Sequence, residues 1–140
     1  MENQKRYSYL TSEIETAYHE AARKLGLSDS AMRILYTICL EGDHCPLSHI
    51  VHLSGIRKQT INSALRKLEE AGILYLELTS GRKKQVCLTQ VGKVLAQNSA
   101  LRVLSIEAEI FDSWSSSELE SYIALTEKYL SAFKEKIKEL

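Results

Sequence analysis

Polar and basic side chains recur at helical spacing between residues 57 and 71, and their types are those that bind nucleic acid. Glutamine, asparagine and serine can hydrogen-bond to base edges, whereas lysine and arginine bind phosphates. Because Ile61, Leu65 and Leu68 repeat at intervals of four and three, they mark the buried side of a helix and leave the opposite side polar. The candidates for base contacts are Gln59, Asn62 and Ser63, and those for the DNA backbone are Arg57, Lys58, Thr60 and Arg66.

A basic hairpin is predicted directly after this helix. Beyond Gly72 the apolar period changes to two, which predicts a strand at 73–78 and an antiparallel partner at 85–88 around a turn at 79–84. A polar helix face alone is also typical of an ordinary solvated surface, but the basic turn beside it favours nucleic-acid binding. The candidates for minor-groove or phosphate contacts at the tip are Arg82, Lys83 and Lys84.

The net charge of zero at pH 7 hides an asymmetry along the chain. Residues 57–84 carry seven basic and three acidic side chains, whereas residues 105–140 carry eight acidic and four basic ones. The first segment is therefore net positive and the second net negative. This division indicates one surface that meets phosphates and another that does not.

Helices are predicted to position the polar helix and the hairpin. Apolar spacings of three and four predict helices over 4–25, between Ser28 and Gly42, over 47–53 with Pro46 in its first turn, and over 57–71. A long helix is predicted from a cap at Thr89 to Phe111, and a last helix opens with a capping box at 115–118. Five glycines stand where the periodic runs stop, places that often need a positive φ: Gly26, Gly42, Gly55, Gly72 and Gly81.

The last helix carries an apolar seam that indicates a partner helix. Its apolar positions alternate steps of four and three over three heptads, and a chain of 140 residues offers little else to cover them. Packing within one chain is the alternative interpretation. The candidates for a homodimer interface are Leu10, Ile14, Leu119, Ile123, Leu130, Phe133 and Ile137.

Two motifs carry a resemblance to a known family. The run LSGIRKQTINSALRKLEEAGIL at 53–74 resembles the helix-turn-helix of MarR-family transcriptional regulators, and VCLTQVG at 86–92 matches that family's V-x-L-T-x-x-G pattern. The resemblance implies a mainly α fold with a small β-hairpin, in which a winged helix-turn-helix lobe at 28–90 lies between dimerisation helices at 1–27 and 91–140. One departure is Ser80, where many members carry an acid that orients the wing arginine, so Arg82 is expected to be held less rigidly.

The resemblance also implies a function. It indicates a homodimeric regulator, a repressor rather than an activator, that binds a pseudo-palindromic operator and is released by an effector. Members of the family often bind a small aromatic molecule in a cleft between the DNA-binding lobe and the dimerisation helices. The aromatic residues that could line such a cleft here, or equally belong to an ordinary core, are Tyr7, Tyr9, Tyr18, Tyr36 and Phe111.

Histidine and cysteine side chains elsewhere in the sequence could support other chemistries. Soft ligands at His44, Cys45, His49 and His52 raise a metal-responsive or redox-responsive regulator as an alternative, with Cys45 expected to be exposed and Cys39 and Cys87 buried. A winged-helix protein-interaction dimer without DNA readout is the other alternative. Neither a phosphate loop nor a nucleophile–base motif is present, so we expect no enzyme activity and no cofactor. An odd number of cysteines and the lack of a long apolar run favour a cytoplasmic protein.

Overall fold

The computed structural model describes residues 1–53 and 55–140. Within them the chain is mainly helical with a small sheet, which confirms the predicted fold class. It divides into two compact units, Met1–Leu104 and Ser105–Leu140. In chain order the elements are α1 (Glu2–Lys24), α2 (Asp29–Leu40), β1 (His44–Pro46), α3 (Leu47–Val51), α4 (Lys58–Glu70), β2 (Leu74–Leu78), β3 (Lys84–Leu88), α5 (Gln90–Gln97), α6 (Ala100–Asp112) and α7 (Ser116–Ile137).

The core of the first unit lies where α2, α3, α4 and the sheet meet. The side chains that α2 contributes are Ile34, Leu35 and Ile38, all fully buried, and Ile61 of α4 is equally buried. Ser28 starts α2 as predicted, because its hydroxyl accepts a hydrogen bond from the amide of Ala31 at 3.1 Å. Packing of this helix pair fixes the orientation of α4, so its polar side is held outward.

The end of α4 is a glycine-dependent turn. Gly72 has φ of 73° and its amide donates to the carbonyl of Glu69, while the amide of Ile73 donates to the carbonyl of Leu68 at 2.9 Å. This pair of bonds satisfies the last carbonyls of the helix and requires a left-handed residue, which glycine adopts without strain. The chain therefore passes from α4 into β2 within three residues.

The sheet has three antiparallel strands in the order β1-β3-β2. The predicted hairpin is β2 and β3, whereas the sequence does not predict β1, and Pro46, expected in the first turn of the third helix, is the N-cap residue just before it. Pro46 also ends β1 and precedes α3, which is shorter than predicted. A proline is tolerated there because β1 is an edge strand of three residues and needs few ladder bonds.

The predicted long helix from Thr89 to Phe111 is wrong in one respect, because it breaks into α5 and α6. The side-chain amide of Asn98 donates to the carbonyl of Val94 at 3.1 Å, and the hydroxyl of Ser99 donates to the carbonyl of Leu95 at 2.6 Å. Side chains that bond back to the preceding turn compete with the helical ladder. Ser99 is fully buried, so the break is fixed inside the first unit.

The second unit holds most of α6 and all of α7 but buries no side chain within itself. The capping box at Ser115 and Glu118 forms as predicted, with bonds of 2.9 and 3.0 Å. Phe111 and Trp114 meet edge to face, and Trp114 also contacts Tyr122. In the described part of the chain, no helix has the length and apolar character that a membrane span needs.

Candidate nucleic-acid interface

The outward side of α4 carries most of the predicted DNA contacts. Gln59 and Asn62 are exposed, as are the backbone-contact candidates, whereas Ser63 is partly buried on the same helix. Ile61, Leu65 and Leu68 are buried on the other side, as their spacing predicts. Side chains that hydrogen-bond to bases and side chains that bind phosphate are thus presented together on one rigid helix: Arg57, Lys58, Gln59, Thr60, Asn62 and Arg66.

The first turn of α4 has no capping side chain from its N-cap residue. Arg57 stands at that position with an extended backbone, and a guanidinium cannot accept a hydrogen bond. The N-cap residues of α2, α5 and α7 are hydroxyl side chains that each accept a bond from a first-turn amide. The amides at the start of α4 therefore suit an anion such as a phosphate.

The hairpin tip is a tight turn with an unusual backbone conformation. The amide of Arg82 donates to the carbonyl of Thr79 at 3.0 Å, and the amide of Thr79 donates to the carbonyl of Lys83 at 2.8 Å. Arg82 has φ of 61°, the left-handed region, whereas Gly81 does not. The expectation that Gly81 supplies the positive φ is therefore wrong, because the turn geometry puts that conformation one residue later, on Arg82.

The basic side chains of α4 and the hairpin form no ion pair within the described part of the chain. In residues 1–53 and 55–140, the ion pairs all lie elsewhere, such as Lys93 with Asp43 and Lys24 with Glu20. Uncompensated positive charge on exposed side chains attracts phosphates. The seven residues are Arg57, Lys58, Arg66, Lys67, Arg82, Lys83 and Lys84; of these, Lys67 is not among the residues that the sequence predicts to contact DNA.

A single junction ties the hairpin to the helices on either side. Thr89 caps α5 by accepting from the amide of Gly92 at 3.0 Å, and its hydroxyl lies 2.5 Å from the carbonyl of Gly72 and 3.1 Å from that of Ile73. The amide of Thr89 also donates to Ile73 at 3.0 Å. Gly92 packs directly against the carbonyl of Ile73, which leaves no room for a side chain. The L-T-x-x-G pattern is thus a packing requirement of this junction.

The sequence of this lobe matches a family model. Residues 25–85 match the model of the MarR family. Residues 25–85 are therefore a MarR-family domain. The match contains α2, β1, α3, α4, β2 and the hairpin turn, and it therefore includes α4 and the turn, on which the exposed basic side chains lie.

Solved structures of the family share the fold of the MarR-family domain and its flanking helices. A MarR family regulator from Neisseria meningitidis is 18% identical with a TM-score of 0.83, covering 99% of this chain and 99% of that chain. A MarR family regulator from Silicibacter pomeroyi is 22% identical with a TM-score of 0.67, covering 90% of this chain and 88% of that one. At these identities the likeness shows the fold alone. None of the curated proteins matched the sequence.

A third solved structure contains nucleic acid. It is a mutant of MepR from Staphylococcus aureus bound to an oligodeoxyribonucleotide, 19% identical with a TM-score of 0.50, covering 94% of this chain and 97% of that chain. The DNA belongs to that protein.

The soft ligands of the MarR-family domain do not come together. His49 Nδ1 lies 2.6 Å from a carboxylate oxygen of Glu41, and His44 Nδ1 lies 2.9 Å from Asp43. The hydrogen bond with His44, together with Lys93, holds the pKa of Asp43 below its ordinary value. Among the described residues no group of three or more histidine, cysteine or acidic side chains could hold a metal ion. His52 is exposed on the turn after α3.

The predicted exposure of Cys45 is wrong. Its side chain is 1% exposed in the core, opposite Val86 in the sheet, because β1 adds an edge that the sequence did not reveal. Cys87 is buried as predicted, whereas Cys39 is only partly so. Burial raises the pKa of the thiols of Cys39 and Cys87, and it raises the pKa of Cys45 to about 11.

We expect Cys45 to resist alkylation in the folded protein. Its pKa lies about 11 against an ordinary value of 9.0, so at pH 8 the reactive thiolate is about 100-fold scarcer than for a free thiol. Iodoacetamide labelling followed by peptide mass spectrometry measures the rate, and the same protein in urea is the control. Equal labelling rates in the two states would contradict a buried, protonated thiol and restore the redox interpretation.

The aromatic residues predicted to line an effector cleft lie in both units. Tyr7, Tyr9 and Tyr18 are exposed along α1, and Tyr36 is half-buried against the core of the MarR-family domain. Phe111 belongs to the second unit, where it meets Trp114 with ring centroids 5.4 Å apart. Their role in binding an effector stays a prediction.

Proposed function

We propose that the chain is a homodimeric transcriptional repressor that binds a pseudo-palindromic DNA operator and leaves it when a small-molecule effector binds. The observation that carries the DNA-binding part is the set of exposed basic side chains on α4 and the hairpin turn, which form no ion pair with any residue that the structure describes. Bases would be read by Gln59, Asn62 and Ser63. The MepR structure supports the proposal, because a protein whose fold is similar to that of this chain is bound there to an oligodeoxyribonucleotide.

The proposal of a homodimer rests on the apolar side of α7. Ile123, Leu130, Phe133 and Ile137 are between 41% and 53% exposed in the single chain, and no residue of this helix is buried. An apolar stripe of that length is typical of a protein–protein interface. Leu10 and Ile14 of α1 are similarly exposed, at 56% and 50%. A second copy of the chain provides the complementary apolar surface.

A two-fold dimer determines the form of the operator. Two copies of α4 entering successive major grooves on one side of the duplex require half-sites about 10 base pairs apart. Binding of the repressor at such a site excludes polymerase, and an effector that prefers the unbound conformation by about 1–3 kcal/mol is sufficient to release it. The aromatic side chains on α1, with Tyr36 and Phe111, are the candidates for contact with an aromatic effector.

The first test is binding to the DNA that flanks the gene, measured by mobility shift over a series of salt concentrations. We expect affinity to fall steeply with salt, with a slope of roughly 0.9 per phosphate contact in log–log form. Binding that is insensitive to salt, or no binding, would favour a winged-helix protein-interaction dimer instead. Release of the DNA by members of a panel of small aromatic compounds tests the effector part.

Two substitutions separate base recognition from backbone contact. Asn62→Ala is expected to relax the preference for one base pair by about 1–3 kcal/mol, because it removes a bidentate hydrogen bond to a base. Arg82→Ala is expected to weaken binding to all sequences alike. Lys128→Ala on α7, which also removes one exposed positive charge, is the control and should change neither. Equal loss of discrimination from the first two variants would contradict this division.

A further inference from the structure

The turn at residues 79–83 is closed through one side chain, that of Thr79. Its hydroxyl donates to the carbonyl of Lys83 at 2.8 Å, the same carbonyl that accepts from the Thr79 amide at 2.8 Å. Its own carbonyl accepts from the amide of Arg82. Three hydrogen bonds of this turn therefore start or end on Thr79, and one of them needs its hydroxyl group.

This arrangement matters because no acidic side chain of the described residues forms an ion pair with Arg82. The residue two positions before Arg82 is Ser80, which carries no charge. Within the described residues the guanidinium of Arg82 forms no ion pair. The backbone of Arg82 is nevertheless in the left-handed region, with φ of 61°, which residues other than glycine rarely adopt. The turn must be fixed by its own hydrogen bonds, or this conformation would not persist.

We propose that Thr79 is the positioning residue for Arg82, and that its hydroxyl bond to the Lys83 carbonyl holds the Arg82 backbone in the conformation from which the guanidinium reaches DNA. The inference deepens the proposed function and rests on it. Fixing the backbone before binding lowers the entropy that the turn loses in the complex. In this chain the hydroxyl of Thr79 thus orients Arg82 by fixing its backbone, whereas an acidic residue could orient it by binding its guanidinium.

The backbone part is tested without DNA. A positive φ brings the amide and α protons of Arg82 close together, so wild-type protein should show a strong intraresidue nuclear Overhauser effect at that residue. Thr79→Val, which replaces the hydroxyl with a methyl group of similar size, should weaken this signal, whereas Thr79→Ser, which keeps the hydroxyl, should retain it. Ser80→Ala is the matched control, because it removes a hydroxyl from the next residue of the same turn. An unchanged signal in Thr79→Val would overturn the proposal.

The DNA part is tested by a double-mutant cycle. Thr79→Val should weaken operator binding about threefold to tenfold, the range that one hydrogen bond supports. The loss should vanish in an Arg82→Ala background and persist in a Lys83→Ala background, since the Lys83 carbonyl is kept there. A general structural role would give the same loss in all backgrounds, and that result would overturn the proposal.

The two hypotheses fail in different ways. If wild-type protein does not bind DNA, the proposed function falls, while the proton signal of Arg82 still decides whether Thr79 fixes the backbone. If wild-type protein binds and Arg82→Ala weakens it, but Thr79→Val changes neither signal nor affinity, the proposed function stands and the role of Thr79 is refuted.

Discussion

Gly92→Ala should lower the free energy of unfolding by about 3 kcal/mol. An added Cβ would overlap the carbonyl oxygen of Ile73 and lie 2.9 Å from its carbonyl carbon and 3.3 Å from Leu88 Cδ2. The carbonyl cannot move aside, because it accepts from the amide of Thr89 at 3.0 Å. Helix propensity alone predicts the opposite sign, a gain of about 1 kcal/mol on replacing glycine by alanine in a helix. The backbone clash outweighs it.

Urea unfolding followed by circular dichroism, at one fixed protein concentration, measures the effect. Gly81→Ala is the matched control, because an added Cβ there meets nothing within 4 Å and φ is not positive. We expect it to stay within about 0.5 kcal/mol of wild type. A Gly92→Ala variant as stable as Gly81→Ala would mean that α5 can move away from Ile73 at little cost.

Leu130→Glu should convert the proposed dimer into monomers. Leu130 is 52% exposed on the apolar side of α7, so a charge there does not disturb the folded single chain but would lie inside the interface of a dimer. Burying an unpaired carboxylate from each subunit costs several kcal/mol, which raises the dimer dissociation constant by at least about 100-fold. Sedimentation or light scattering should report the 15.9 kDa of one chain instead of twice that mass.

Leu125→Glu is the control for this variant. Leu125 is 63% exposed on the same helix but lies on the side away from Leu130. The same leucine-to-glutamate substitution is therefore made outside the apolar seam. It should remain a dimer with unchanged operator affinity, whereas Leu130→Glu should lose affinity because each half-site is then bound separately. If both variants remain dimeric, α7 does not supply the interface and packing within one chain becomes the better interpretation of its seam.

The sequence predicted those elements whose patterns are long and regular. The repeat of Ile61, Leu65 and Leu68 located α4 and its buried side, and the change to period two located the hairpin. Ser28 and Ser115 marked helix starts because capping depends on a side chain that the sequence displays. In each case a local preference and the final packing agree.

The sequence did not predict features that depend on distant parts of the chain. The three residues of β1 have no period, and they form a strand only because β3 offers an edge, so the burial of Cys45 could not be foreseen. The break between α5 and α6 comes from two polar side chains, Asn98 and Ser99, that bond back to the helix. The positive φ of Arg82 follows from turn geometry, although the adjacent glycine is the obvious candidate by residue type.

The junction at Thr89 also limits the movements by which an effector could release DNA in the proposed function. Through the carbonyls of Gly72 and Ile73, it binds the end of α4, the start of β2 and the start of α5 to one another. Rotation of α4 alone would break these hydrogen bonds. In the proposed dimer, an effector that changes the separation of the two copies of α4 would therefore have to move these joined elements together.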